Sequence, residues 1–314
     1  MYLHINIMKN IFIGFLSSLF IFFATVPSTA YGYQHSDTTK KSSIIAKGAL
    51  PKLISNQFAF TEGPAVDKYG NVFFTDQPND KIWKYDTNGK LSVFLDKTGR
   101  SNGLYFDKKG NLISCADKKN ELWAIDPKGK VTVLVSDFKG QLLNGPNDLW
   151  IAPNGGIYFT DPLYKRDYWT RRGTRIDKEQ VYYLARGAKE AVAVASNTKK
   201  PNGIIGTPDG KYLYVADIGD NKTYRYEINA DGTLQSPQLF AAQGSDGMTI
   251  DNKGNIYLAG KGVTVYSPEG RQIEHIDIPE PWTGNICFGG KHRNKLFITA
   301  SKSVYILDMK VKGA

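Results

Sequence analysis

The sequence predicts an all-β chain folded as a six-bladed β-propeller, and three observations predict it. One segment pattern recurs six times. The copies follow one another at about 44 residues on average, which is the length of a four-stranded blade. A spare strand near the N-terminus also matches one that the last copy lacks.

The six copies begin "EGPAVDKYGNVFFTD", "NGLYFDKKGNLISCAD", "NDLWIAPNGGIYFTD", "NGIIGTPDGKYLYVAD", "DGMTIDNKGNIYLAG" and "TGNICFGGKHRNKLFITA". Each holds a short apolar strand, a turn such as "DKYGN" or "APNGG", and a second strand of aromatic and β-branched residues. That order reads as an antiparallel hairpin. A third strand follows, "KIWKYD" or "ELWAID" for example, and then commonly a fourth such as "KLSVFLD" or "KVTVLVS".

The sixth copy stops after its third strand, "SVYILD". Residues 50–58, "LPKLISNQF", resemble the fourth-strand segment "GKLSVFLDK" and have no other home. An N-terminal strand closing the last blade would remove an open edge. The propeller is therefore expected over residues 49–314, as the catalytic domain.

Residues 1–30 read as a signal peptide: Lys9, the apolar run from Ile11 to Val26, and "PSTA" ending at Ala30. The run falls short of the roughly 18 residues of a spanning helix. Cleavage is expected over the rival reading, a retained anchor. No stable membrane span then remains, and the protein is expected to be exported, either periplasmic or secreted. Residues 31–48 are polar and aperiodic and read as a flexible linker.

What remains is long enough to bury a sizeable core. Cys115 and Cys287 are too few for a disulfide framework and read as small buried thiols. The net charge of +10 is carried by Lys and Arg scattered at turns, such as Lys108-Lys109 and Lys118-Lys119. Without a basic helix or recognition motif, this charge argues for no nucleic-acid partner. A Ser-His-Asp hydrolase is also disfavoured, because there is no G-x-S-x-G and no His beside any motif.

Alignment of the copies brings Glu62, Asn102, Asn147, Asn202, Asp246 and Thr283 into one column. In a propeller, equivalent positions on the innermost strands ring the central channel. Turn-forming Asn and Asp explain any one member. A whole column of oxygen-bearing side chains, Glu62 included, would instead concentrate negative charge that a cation compensates. Oxygen ligands without His or Cys point to Ca²⁺, with Mg²⁺ or Mn²⁺ next and Zn²⁺ disfavoured among the divalent ions.

A second column, Asp76, Asp117, Asp161 and Asp217, ends the second strands. It reads as structural, each Asp bonding the backbone of the next turn. The third copy carries an insertion, "PLYKRDYWTRRGTRIDKEQ", at residues 162–180. It presents Tyr164, Tyr168 and Trp169 among Arg and Lys, and reads either as a lid that stacks on a substrate ring or attracts an acidic group, or as an ordinary solvated loop.

"FTEGPAVD", "NGPNDL", "YFTDP", "PNGI" and "SDGM", in this order and spacing, resemble the calcium-dependent lactonases of the gluconolactonase, senescence-marker-protein (regucalcin) and luciferin-regenerating-enzyme family. The resemblance implies a six-bladed propeller with one Ca²⁺ in its channel and the hydrolysis of a small-molecule lactone to its hydroxy acid. It implies metal ligands at Glu62, Asn202 and Asp246, with Asn147 beside the metal or the substrate. Asn102 and Asp148 match further pocket positions, and Tyr164 is added from the insertion as a substrate contact. Asp246 is the expected general base, or the carboxylate that orients the attacking water. One position departs from the pattern: animal members carry a substrate-contacting Arg where this chain has Gly145. The alternative function is a non-catalytic propeller that binds a sugar, peptide or protein partner.

Overall fold

The computed structural model describes residues 42–169 and 176–314. The expected signal peptide, residues 31–41 of the expected linker and residues 170–175 of the insertion lie outside the described residues.

The turns explain why the repeats fold as hairpins. In blade one, Asp67 Oδ1 accepts the N–H groups of Tyr69 and Asn71, both at 2.9 Å, while Asn71 Nδ2 donates to Asp67 Oδ2 at 2.7 Å. Asp107 and Asp251 repeat this arrangement. The "D-x-x-G-N" signature is thus a side-chain-stapled turn, with Gly70 at φ +91° supplying a backbone angle that L-residues avoid.

Among the described residues the strands form six four-stranded antiparallel sheets. The innermost strands are Thr61–Val66, Ser101–Phe106, Leu149–Ile151, Pro201–Gly206, Met248–Ile250 and Thr283–Gly289. They neighbour one another in cyclic order, and the sixth returns to the first. The expected six-bladed propeller is what the chain forms.

Burial falls from the channel outward. The second strands are almost wholly buried, as in Val72–Asp76 and Ile157–Asp161, whereas the fourth strands are largely exposed or half-buried, as in Val192–Ala195. Aromatic rings hold adjacent blades together. Phe73 meets Phe106 at 5.1 Å between blades one and two, and Tyr257 meets Phe288 at 5.3 Å between blades five and six. Such contacts add about 0.5–1.5 kcal/mol each beyond the area they bury.

Closure is also as expected. Lys52–Ser55 pairs antiparallel with Ser303–Asp308, in the register Lys52↔Ile306 and Leu53↔Tyr305, as the outer strand of blade six. Phe58 then crosses to blade one, 5.2 Å from Phe74 and 5.4 Å from Trp83. Within the described part of the expected linker, Ile44 is buried, its carbonyl accepts Lys310 N–H at 2.7 Å, and Ile45 bridges to Met309. Cys115 and Cys287 are both buried free thiols. No helix among the described residues is long and apolar enough to cross a membrane.

Candidate active site

The column residues sit where each innermost strand begins, and the backbone there is irregular. The ladders of blades one, two, four and six shift register at this point, between Glu62 and Ala65 in the first. A bulge re-aims a side chain that regular pleating would send elsewhere. In five copies the next residue is glycine, and at Gly247 the reason is close approach: a Cβ would lie 1.8 Å from Asn285 Cγ.

The third copy has Asp148 at that glycine position. Its Oδ1 accepts Leu149 N–H at 2.9 Å, its Oδ2 is 3.4 Å from Asn285 Nδ2, and Ile204 N–H adds a further bond. Asp148 is thereby fixed between blades three, four and six.

Successive blades are joined across the channel mouth by main-chain bonds. Gly103 N–H donates to Asn147 O at 2.7 Å, and Gly247 N–H to Gly284 O at 2.7 Å. The hydroxyl of Thr75 donates to Asn102 O at 3.1 Å, and that of Thr160 to Asn202 O at 2.8 Å. Asn102 and Asn147 are buried in this ring.

Three of the predicted residues are brought together with their charges facing. Glu62 is buried, and burial together with the carboxylates of Asp246 and Asp148 pushes its pKa well above the usual carboxylate range. Gly63 N–H, at 2.9 Å, and Asn285 partly oppose that rise. Burial raises Asp246 to about 6, against hydrogen bonds from Trp282 and Asn202 and the charge of Arg166. Burial likewise raises Asp148 to about 7. Asn202 Nδ2 donates to Tyr164 Oη at 2.9 Å, so the insertion reaches the column.

This set of donors suits a hard cation. Two mutually repelling carboxylates, Glu62 and Asp246, stand beside an amide, Asn202, whose NH₂ is directed to Tyr164 and Asp246 and whose oxygen keeps its lone pairs. Among the described residues no three His, Cys, Asp or Glu side chains form a metal-binding group. Any metal here would therefore depend on amide oxygen as well as carboxylate. A hollow of about 1110 Å³ between blades two and three, against Val133 and Phe138, and one of about 700 Å³ against Tyr105 and Trp150 that extends to Ile205 and Ile250 of blades four and five, are lined by none of these carboxylates.

Two functional residues were missed in the sequence. The sixth blade reaches the carboxylates through Asn285, whereas Thr283 is buried with no hydrogen-bond partner for its hydroxyl. The register shift between Thr283 and Asn285 accounts for the displacement. A signal existed, since Asn285 is polar in a column otherwise occupied by Pro64, Leu104, Leu149, Ile204 and Met248. Trp282 was the other: its indole Nε1–H donates to Asp246 Oδ2 at 2.6 Å while the ring stays more than a third exposed. No residue-type pattern marks it.

The second column braces the strand entering each blade more than the turn that follows. Asp76 accepts N–H bonds from Ala59 and Phe60, Asp161 from Asn144 and Gly145, and Asp217 from Lys199 and Lys200. The antiparallel pairing explains this, because the end of a second strand lies beside the start of the first. Asp217 also accepts Asp220 N–H, the expected turn bond. Asp117 differs: its Oδ2 accepts from Arg166 Nε at 2.8 Å, Tyr168 Oη at 2.5 Å and Gln77 Nε2 at 3.0 Å, which fastens the insertion over the channel. Gly145 lies beneath it, where a Cβ would sit 3.1 Å from Trp169 and 2.6 Å from Asp117 Oδ1. That crowding explains the glycine at the departing position.

Comparison with known proteins matches this architecture. The family model described as "SMP-30/Gluconolactonase/LRE-like region" matches residues 60–302. A gluconolactonase of Zymomonas mobilis is 27% identical over 293 residues, covering 83% of this chain and 82% of its own. The structure of a gluconolactonase from Xanthomonas campestris superposes with a TM-score of 0.79 at 27% identity, over 84% of this chain and 91% of that one. A calcium-binding regucalcin of Agrobacterium tumefaciens shares the fold, with a TM-score of 0.72 at 20% identity over 85% and 96% of the two chains.

Proposed function

Because the chain belongs to the SMP-30/gluconolactonase/LRE-like family, we propose that it is a Ca²⁺-dependent lactonase that hydrolyses the ring ester of a small lactone. The observation that carries this reading is the pair Glu62 and Asp246, buried at the channel mouth, each facing the other's charge across oxygen-bearing neighbours. A propeller that only bound a partner would gain nothing from burying two carboxylates on its axis.

Glu62, Asn202 and Asp246 would hold the cation, with Asn147 beside it, and when bound it would draw electron density from the lactone carbonyl as a Lewis acid. Asp246 is assigned as the base. Trp282 engages its Oδ2 and Asn202 also bonds the carboxylate, whose remaining lone pairs would take a proton from water. The water oxygen bonds to the carbonyl carbon, the ring C–O bond breaks, and the proton passes to the departing ring oxygen. One lactone and one water give one hydroxy acid.

Tyr164, held by Asn202, presents its hydroxyl and ring to the substrate. Asn102 and Asn147 lie where amide N–H groups can meet substrate oxygens, and Asp148 with Asn285 keeps Glu62 in place. We propose a place outside the cytoplasm, because the apolar run from Ile11 to Val26 has the form of an export signal.

The test is turnover of aldonolactones and simple γ- and δ-lactones, with Ca²⁺ and with chelator. The expected result is Ca²⁺-dependent opening that falls at least about 100-fold in Asp246→Ala. Turnover unchanged in a folded Asp246→Ala would falsify the assigned role.

A further inference from the structure

We propose that the substrate carries an anionic group remote from the ring ester, and that Arg166 and Lys200 hold it at the rim of the channel. The proposal rests on the lactonase reading and adds the charge class of the lactone.

The channel mouth is electrically layered. Its floor holds the acidic residues Glu62, Asp148 and Asp246, and the wall above holds cations. The Arg166 guanidinium lies 5.3 Å from the centre of the Tyr164 ring, and Lys200 Nζ lies 4.8 Å from the same centre. The Arg100 guanidinium stands 4.4 Å over Tyr168 on the same wall.

Asp117 is the carboxylate bonded in that wall, and Arg166, Tyr168 and Gln77 all converge on it. Lys200 Nζ meets a neutral oxygen, Leu163 O at 3.3 Å, and among the described residues no carboxylate lies within ion-pair reach of it. Arg166 already shares its charge with Asp117, whereas Lys200 is met only by a carbonyl dipole and the Tyr164 ring. A negative group supplied from outside would pair with Lys200 and use the guanidinium N–H groups that Asp117 leaves open.

The placement also sets the shape of the ligand. Tyr164 Oη is bonded to Asn202 in the column, while its ring carries the two cations. Reaction centre and anion site are thus separated by about one tyrosine side chain. A lactone with its carbonyl toward Asp246 would present a substituent several bonds away to Lys200 and Arg166. Carboxylate, phosphate and sulfonate share the needed chemistry, and Arg recognises each through paired N–H groups.

The experiment compares three lactones on the Ca²⁺-loaded full chain: D-glucono-1,5-lactone, its 6-phosphate, and D-glucaro-1,4-lactone, which bears a carboxylate. At least one anionic lactone should exceed the neutral one about tenfold in kcat/KM, through KM, and the advantage should shrink as NaCl is raised. Which of the two it is separates a phosphate from a carboxylate substrate. Lys200→Gln should lower the anionic-to-neutral ratio about tenfold, and Lys200→Arg should restore most of it. Equal kcat/KM on all three lactones, or a ratio unmoved by Lys200→Gln, overturns the proposal.

If no lactone is opened, the lactonase reading falls and the inference is judged by calorimetry in chelator. Binding of 6-phosphogluconate or glucarate that Lys200→Gln weakens then supports the anion site, and binding that is absent or unaltered by the variant overturns it.

Discussion

Trp282 donates its indole N–H to Asp246 Oδ2 at 2.6 Å, although the two residues lie 36 positions apart and the ring is more than a third exposed. The bond helps hold down a carboxyl that burial would otherwise raise further. Trp282→Phe keeps the ring and removes the donor. Expected is a fall in kcat of about tenfold, the scale of one charge-assisted hydrogen bond, with KM changed less than threefold. A variant whose kcat matches the parent would show that Trp282 does not orient Asp246.

The buried carboxylates make the metal-free protein sensitive to pH in a stated direction. Asp148 at about 7, Asp246 at about 6 and the raised Glu62 hold their protons more tightly in the folded chain than unfolded carboxyls do. Their contribution to stability is full below about pH 4 and is lost as pH rises through about 7. For Asp148 alone the upper limit is about 4 kcal/mol. Melting in chelator should therefore give a lower Tm at pH 7.5 than at pH 5. Millimolar Ca²⁺ should restore the loss by binding the ionised folded form, and Asp148→Asn should flatten the slope. A Tm in chelator that rises from pH 5 to 7.5 contradicts this account.

Gly247 has Asn285 against it, so a methyl group there must push the amide aside. Gly247→Ala is expected to cost about 1–3 kcal/mol of stability and to loosen Asn285 from Asp148 and Glu62. Weaker Ca²⁺ binding by calorimetry, in a variant that remains folded by circular dichroism, is the outcome to look for. Unaltered affinity and Tm would mean that Asn285 does not support the carboxylates.

The ring closure can be tested by deletion. Without residues 42–57, blade six loses its outer strand and Ser303–Asp308 becomes an open edge. The deleted protein should melt at least about 10 °C lower or aggregate, a several-kcal/mol loss. A truncated protein as stable as the parent rules out a closing role for the strand.

The blades were legible in the sequence because hairpins are local: an Asp-capped turn between two apolar runs is written in consecutive residues, as in Asp67 to Asn71. The column was legible for the same reason, since Glu62, Asn202 and Asp246 occupy equivalent places in copies of one pattern. Asn285 was obscured by a register shift that moves the functional position by two residues. Arg166 reaches the channel from the insertion, while Trp282 and Lys200 sit just before their column residues at positions where the six copies share no residue type, so periodicity could not rank them. Asp117 shows the same limit, because its strand-end position is repeated while its partners come from the insertion.

The pairing of Lys52 with Ile306 sets the order in which the molecule assembles. Five blades are closed by contacts between neighbours in the chain, whereas the sixth must wait for residues some 250 positions apart to meet, and contacts of that span are slow to form. Until they do, the outer edge of Ser303–Asp308 presents unpaired amides. Folding therefore ends at this seam, and unfolding starts there. The amides of Lys52–Ser55 and Ser303–Asp308 should exchange with deuterium together, ahead of the buried second strands.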